Sequence, residues 1–126
     1  MNQTQVTILV IEDNERNLYL VRFLLENAGY RVLAAHEGRT GIEIARQHRP
    51  ALVLLDIQLP EIDGYAVARE LRAIAALAGT PIVAVTSYAM PGDREKALGA
   101  GCTGYLEKPI DPDTFVEQVR QHLLAG

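Results

Sequence analysis

The feature of this sequence that most limits its fold is a regular alternation between short apolar runs and longer amphipathic stretches. A short apolar run bounded by turn signals is typical of a buried strand, and apolar residues spaced three and four positions apart indicate a helix. The predicted strands are Thr7–Ile11, Tyr30–Ala34, Leu52–Leu55, Ile82–Val85 and Gly104–Leu106. Three of them are almost wholly apolar, as expected for central strands of a parallel sheet that is covered on both faces.

A predicted helix follows each of these strands. The helix boundaries come from capping residues at the start and from glycine or proline near the end. In the last helix, Asp111 is the expected cap and Pro112 takes the first helical position, where its missing N–H is not needed. The predicted helices are Glu15–Asn27, Arg39–Gln47, Tyr65–Ala75, Asp93–Ala100 and Pro112–Leu124.

Five strand–helix units in succession predict the α/β fold class. We expect a (βα)5 flavodoxin-like arrangement, in which a doubly wound parallel five-stranded sheet has the order 2-1-3-4-5 and helices cover both faces. The chain has 126 residues, 48% of them hydrophobic, which is the size of one compact domain. We therefore expect a single domain over residues 1–126, with a core from about residue 7 to residue 124.

Composition argues against several classes of function. The net charge of −4 and the lack of a basic stripe argue against direct DNA binding. No apolar run approaches the ~20 residues that cross a bilayer, and the N-terminus lacks a secretory signal. The single cysteine, Cys102, cannot form an internal disulfide, which fits a reducing compartment. We expect a cytoplasmic protein without membrane contact.

Polar side chains stand at the carboxyl ends of four predicted strands. They are Glu12 and Asp13 after the first strand, Asp56 after the third, Thr86 after the fourth and Lys108 after the fifth. Because these strands are neighbours in the predicted order, three carboxylates, a hydroxyl and an ammonium group converge on one edge of the sheet. Clustered carboxylates repel one another, and Mg²⁺, which prefers oxygen ligands, would relieve that repulsion. The pattern favours phosphoryl transfer, in which a carboxylate can be the covalent acceptor.

Three other functions share parts of this pattern. A flavodoxin-like FMN carrier needs a donor-rich loop after the first strand, where this chain has the largely acidic segment Glu12–Glu15. A Rossmann enzyme needs Gly-x-Gly-x-x-Gly at that place, and the sequence lacks it. A phosphatase of the haloacid dehalogenase type has its nucleophile after the first strand and a second aspartate two residues later. Here Gln58 stands two residues after Asp56.

The residues at the strand ends resemble the receiver domain of two-component response regulators, and the resemblance runs from Ile8 to about Leu124. The matching motifs are I-E-D-N at 11–14, L-L-D-I-Q-L-P-E-I-D-G at 54–64, V-T-S at 85–87 and G-Y-L-E-K-P-I at 104–110. The segment 89–105 is most similar to stand-alone regulators of the DivK type and to receivers of hybrid kinases. One departure is Ser87, where many members carry alanine.

The resemblance implies that Asp56 accepts a phosphoryl group from a sensor histidine kinase or a histidine phosphotransfer protein, with Mg²⁺ or Mn²⁺ as cofactor. The implied direct metal ligands are Asp13, Asp56 and the backbone carbonyl of Gln58. Glu12 would act mainly through metal-bound water. The implied activity is that of a phosphoacceptor signalling protein, limited to self-phosphorylation from small donors and autodephosphorylation.

Further implied roles concern switching and reset. Lys108 would contact the phosphoryl group, and Thr86 would donate its hydroxyl to a phosphoryl oxygen. Thr86 and Tyr105 would form a coupled switch pair that alters a surface of helix four, strand five and helix five for a downstream protein. Gln58 and Tyr88 would flank the path of the attacking water and so set the lifetime of the phosphorylated state.

The remaining predictions concern local structure and donor docking. Pro109 is implied to follow a cis peptide bond, and Pro60 and Gly64 are interpreted as shaping the loop after the third strand. Leu18 and Ile110 are expected to form a small exposed apolar patch near the active edge, which is a usual mark of a partner site. We expect the phosphoryl donor to dock there.

Two alternatives keep the same fold. One is a degenerate pseudo-receiver that binds proteins without being phosphorylated, and the other is the receiver portion of a hybrid histidine kinase. The complete set of Asp56, Lys108 and Thr86 argues against a pseudo-receiver. Labelling by acetyl phosphate distinguishes a pseudo-receiver from a receiver that accepts a phosphoryl group, because a pseudo-receiver would not be labelled.

Overall fold

The computed structural model describes residues 5–59, 62–87 and 91–125. The roles predicted for Pro60 and Tyr88 lie outside these described residues. The strands are β1 (Thr7–Ile11), β2 (Arg31–Ala35), β3 (Leu52–Asp56), β4 (Ile82–Thr86) and β5 (Gly104–Glu107). The helices are α1 (Glu15–Asn27), α2 (Gly38–His48), α3 (Gly64–Arg72), α4 (Asp93–Gly99) and α5 (Phe115–Ala125), with a 3₁₀ turn at Ala75–Leu77. In the described part of the chain, no helix has the length and apolar character that crossing a bilayer requires.

The strands form a parallel sheet in the order β2-β1-β3-β4-β5, which confirms the predicted fold class. The pairing register at the carboxyl ends of the strands determines which of the following residues lie side by side. Ile11 pairs with Leu55, and Asp56 pairs with Val85. Glu12, which directly follows β1, and Asp56, the last residue of β3, therefore stand at the same level of the sheet.

Hydrophobic side chains alternate between the two faces of the sheet, as the period of two in a strand requires. Along β1, Leu9 and Ile11 belong to a core cluster that includes residues of α2, α3 and α4. Ile8 and Val10 belong to a second cluster that includes residues of α1 and α5. Because helices cover both faces, the carboxyl edge of the sheet is the place where polar groups can meet a ligand.

Two helix boundaries differ from the predicted ones by three residues, and the others agree to within one residue. The prediction that the fifth helix begins at Pro112 is wrong, because α5 begins at Phe115. The carboxylate of Asp111 accepts the N–H of Asp113 at 3.0 Å, so Asp111 stabilises a turn that precedes the helix. The third helix ends at Arg72, earlier than predicted.

Gly64 lies where the chain enters α3 after the loop that follows β3. A Cβ atom on this residue would be 2.5 Å from Ile57 Cα and 2.7 Å from the Ile57 carbonyl oxygen, distances that real Cβ atoms do not show. The Gly64 N–H donates to that carbonyl at 3.2 Å. The missing side chain thus lets α3 begin directly against the segment that carries Asp56.

Candidate functional site

Three carboxylates meet at the carboxyl edge of the sheet. One oxygen each from Glu12, Asp13 and Asp56 lie within 4.8 Å of one another. Glu12 and Asp56 are 4% and 3% exposed, whereas Asp13 is exposed to solvent. The parallel register explains this cluster, because the ends of β1 and β3 lie side by side. The structure thus brings together the acidic residues that the sequence placed at this edge.

The ammonium group of Lys108 lies between two of these carboxylates. Its Nζ is 3.0 Å from Glu12 Oε1 and 3.4 Å from Asp56 Oδ2, and its side chain is 12% exposed. The Lys108 backbone N–H donates to the Thr86 carbonyl at 2.7 Å, which ties the residue to β4. The next peptide bond, between Lys108 and Pro109, is cis. A single ammonium group therefore faces more than one carboxylate in this site.

Burial is the largest cause that raises the pKa of the Glu12 carboxyl to about 7, and the hydrogen bond to Asp56 and its negative charge add to it. The Lys108 ammonium group and the Asn14 N–H, which donates to Glu12 Oε2 at 3.1 Å, act in the opposite direction. The three clustered carboxylates outnumber the Lys108 ammonium group, which lies against two of them. A divalent cation bound to these oxygen atoms would supply further positive charge.

The pKa of Glu12 predicts how the stability of the metal-free protein depends on pH. A carboxyl whose pKa is raised on folding stabilises the protein below its unfolded pKa, and this stabilisation is lost as the pH rises through the folded value. We expect the free energy of unfolding to fall by ~1–3 kcal/mol between about pH 5 and about pH 8. In Glu12→Gln, which carries no ionisable group at this position, we expect a smaller fall over the same pH interval.

Urea unfolding in the presence of EDTA at the two pH values measures this difference. Glu43→Gln is the matched control, because Glu43 is an exposed glutamate on α2. That control should keep the pH dependence of the unchanged protein. If Glu12→Gln shows the same fall in stability as the unchanged protein, another group is responsible for the pH dependence.

The two oxygens of Asp56 have different partners. Oδ1 accepts the backbone N–H of Gln58 at 2.8 Å, whereas Oδ2 lies 3.4 Å from the Lys108 Nζ. The Gln58 side chain reaches the segment after β4, where its Oε1 accepts the backbone N–H of Ser87 at 3.1 Å. Thr86, the last residue of β4, is buried. Gln58 and Lys108 therefore contact Asp56, and Thr86 ends the neighbouring strand.

Tyr105 is turned toward the protein interior. Its hydroxyl is buried and has no hydrogen-bond partner within the described residues, and its ring packs against the core cluster that includes α2, α3 and α4. The Cζ atom of Arg94 lies 5.4 Å from the ring centroid, which is a cation–π distance. Burial is the largest cause that raises the pKa of the Tyr105 hydroxyl. Packing and the Arg94 side chain therefore hold the ring in this orientation.

The prediction that Leu18 helps to form an exposed patch is wrong. Leu18 is 5% exposed and belongs to the core cluster that includes α1 and α5, and Ile110 is partly buried against the same cluster. Large exposed apolar side chains on α1 are Tyr19 and Phe23, at 73% and 54%, and their rings stack with centroids 6.5 Å apart. This exposed pair was not predicted from the sequence. The spacing of four residues could have indicated it, because residues four apart lie on the same side of a helix.

Comparison with known proteins places this site in a family. Residues 8–120 match the protein family described as the response regulator receiver domain. The polar-differentiation response regulator DivK of Brucella anthropi is 40% identical over 117 residues, which cover 93% of this chain and 95% of that protein. Sequence similarity therefore extends over nearly the full length of both chains.

Solved structures of receiver proteins share the fold. A CheY-like receiver domain protein from Methanospirillum hungatei has a TM-score of 0.90 at 26% identity, over 97% of this chain and 96% of that chain. The receiver domain of a sensor histidine kinase from Pseudomonas aeruginosa has a TM-score of 0.87 at 34% identity, over 95% of this chain and 98% of that chain. That structure was solved with a magnesium ion coordinated in its active site cleft. The chain belongs to the response regulator receiver domain family, whose members are signalling proteins of two-component systems.

Proposed function

We propose that this protein accepts a phosphoryl group on Asp56 in an Mg²⁺-dependent reaction and then presents an altered surface to a protein partner. The surroundings of Asp56 carry this proposal, because its buried carboxylate lies 3.4 Å from Lys108 and clusters with Glu12 and Asp13. Such surroundings suit a carboxylate nucleophile whose product carries additional negative charge. We further propose that residues 7–124 act as a single receiver domain in the cytoplasm.

The proposed donor is a phosphohistidine of a sensor histidine kinase or of a histidine phosphotransfer protein. A carboxylate oxygen of Asp56 attacks phosphorus, and the O–P bond forms as the P–N bond of the donor breaks. The departing imidazole nitrogen keeps the electron pair of the broken bond and takes up a proton. The Lys108 ammonium group, 3.4 Å from Asp56 Oδ2, and the hydroxyl of Thr86, on the neighbouring strand, would bind phosphoryl oxygens.

The acidic edge fits the Mg²⁺ that this reaction would use. Asp13, Asp56 and the backbone carbonyl of Gln58 would hold the ion, with Glu12 acting through a water molecule, and Mn²⁺ prefers similar ligands. The fit is supported by the three carboxylate oxygens that lie within 4.8 Å of one another. When bound, the ion would neutralise negative charge on the phosphoryl oxygens.

The proposed output surface consists of α4, β5 and α5. A phosphoryl oxygen that draws the Thr86 hydroxyl toward Asp56 would change the packing beside Tyr105, whose ring is held by Arg94 and the core. A change between two packing states can couple one site to another. We propose that the recipient is a downstream protein and that neither DNA nor a membrane binds directly. Ile110 remains our prediction for donor docking.

Labelling with acetyl phosphate tests the proposed function. In the presence of Mg²⁺ we expect the protein to incorporate label, and we expect EDTA to slow incorporation by at least about tenfold. Hydroxylamine or base should release the label, because an acylphosphate is labile to both. A protein that takes up no label would be a pseudo-receiver, and a label that resists hydroxylamine would lie on a residue other than an aspartate.

A further inference from the structure

The side chain of Gln58 links the acceptor carboxylate to the segment after β4. The Gln58 backbone N–H donates to Asp56 Oδ1 at 2.8 Å, and its side-chain Oε1 accepts the Ser87 backbone N–H at 3.1 Å. We propose that this side chain is a latch, which occupies the Ser87 N–H in the unphosphorylated protein and releases it when a phosphoryl group arrives on Asp56. The latch rests on the proposed function and deepens it.

The position of the Ser87 N–H supports the latch. Asp56 pairs with Val85 across β3 and β4, and the Ile57 N–H donates to the Val85 carbonyl at 3.0 Å. The next carbonyl, that of Thr86, accepts the Lys108 N–H at 2.7 Å. Ser87 is thus the next residue after Val85 and Thr86, whose carbonyl groups are both held by hydrogen bonds. It lies next to the edge where Asp56 would carry the phosphoryl group.

The chemistry of the two acceptors gives the direction of the exchange. A backbone N–H needs an acceptor, and in the described structure the Gln58 amide oxygen fills that role for Ser87. A phosphoryl oxygen carries negative charge, so its hydrogen bond to the same N–H is stronger than the bond to a neutral amide. Both Gln58 and Ser87 are exposed, so the released side chain can turn into solvent.

Removal of the Gln58 side-chain contact should change the affinity for a phosphoryl analogue in opposite directions for a latch and for a purely structural contact. If Gln58 only held the two segments in place, its removal would loosen the site and weaken the binding of a phosphoryl analogue. If Gln58 competes with the phosphoryl group, its removal frees the Ser87 N–H and strengthens that binding. The hydrogen bond is exposed. A typical net contribution of a hydrogen bond corresponds to an increase in affinity of about two- to tenfold.

Gln58→Met tests the latch, because methionine has a similar length and lacks the amide oxygen. The probe is beryllofluoride with Mg²⁺, a mimic of the phosphoryl group, titrated while the backbone amide signals are followed by NMR. We expect the Ser87 amide proton of the unliganded variant to move upfield, and we expect its beryllofluoride affinity to rise by about two- to tenfold. Gln47→Met is the matched control, because Gln47 is an exposed glutamine on α2. It should change neither quantity.

The outcomes separate the latch from the proposed function. A normal response of the unchanged protein, together with equal or weaker affinity in Gln58→Met, overturns the latch alone. An unchanged Ser87 amide signal in the unliganded Gln58→Met protein also overturns it. If the unchanged protein itself shows no response to beryllofluoride, both the proposed function and the latch are wrong.

Discussion

Asp56→Asn is expected to abolish labelling by acetyl phosphate, with a fall in rate of at least about 100-fold. Asparagine keeps the size of the side chain, and its amide oxygen can still accept the Gln58 N–H that now bonds to Asp56 Oδ1. It lacks the negative charge and the nucleophilic carboxylate oxygen that the reaction needs. The measurement is the amount of label incorporated per chain over time in the presence of Mg²⁺.

Asp113→Asn is the matched control for this substitution. Asp113 is an exposed aspartate in the turn before α5 and is not one of the three clustered carboxylates, so its variant should be labelled at the rate of the unchanged protein. Asp56→Asn should also remain folded, because the substitution removes one of several crowded carboxylates. Labelling of Asp56→Asn at an unchanged rate would mean that another residue is the acceptor.

Leu18→Asp is expected to lower the free energy of unfolding by ~3–5 kcal/mol. The substitution removes an aliphatic side chain from the core cluster of α1 and α5 and places a carboxylate there. The buried side chains of that cluster are hydrophobic, so they would not compensate the charge of the carboxylate. Urea unfolding at neutral pH measures the loss.

Tyr19→Asp is the adjacent control, because Tyr19 is 73% exposed on the same helix. Its free energy of unfolding should change by less than about 1 kcal/mol. Equal losses in the two variants would contradict the packing of α1 against the sheet. The comparison also affects studies of partner binding, because a substitution at Leu18 cannot separate docking from folding. Substitutions at Tyr19 or Phe23 change the surface of α1 and leave the core intact.

Much of this arrangement could be predicted from the sequence. The apolar strand runs indicate a sheet buried on both faces, and a parallel order places the residues after β1, β3, β4 and β5 at one edge. The meeting of Glu12 with Asp56 follows from that order, since Ile11 pairs with Leu55. These features depend on the spacing of apolar residues and on the direction of the chain, and both can be determined from the sequence.

Other features depend on contacts that a sequence does not specify. Helix α1 carries apolar residues on more than one side, since Tyr19 and Phe23 are exposed. Packing against the sheet selects the side with Leu18, Val21 and Leu25 for burial. The bond between Gln58 and Ser87 joins side chain and backbone across 29 positions and depends on one rotamer. Such choices are made by tertiary structure, so local patterns could not reveal them.

The unequal partners of the Asp56 oxygens have a consequence for the proposed reaction. A free carboxylate is symmetric, and rotation about its Cβ–Cγ bond exchanges the two oxygens. In this protein the rotation would break the 2.8 Å bond from Gln58 and the 3.4 Å contact with Lys108. The orientational entropy of the nucleophile is therefore lost on folding rather than at the encounter with a donor. In the proposed reaction, a phosphohistidine donor would meet a carboxylate whose two oxygens already differ in their partners, and only the donor would still have to be oriented.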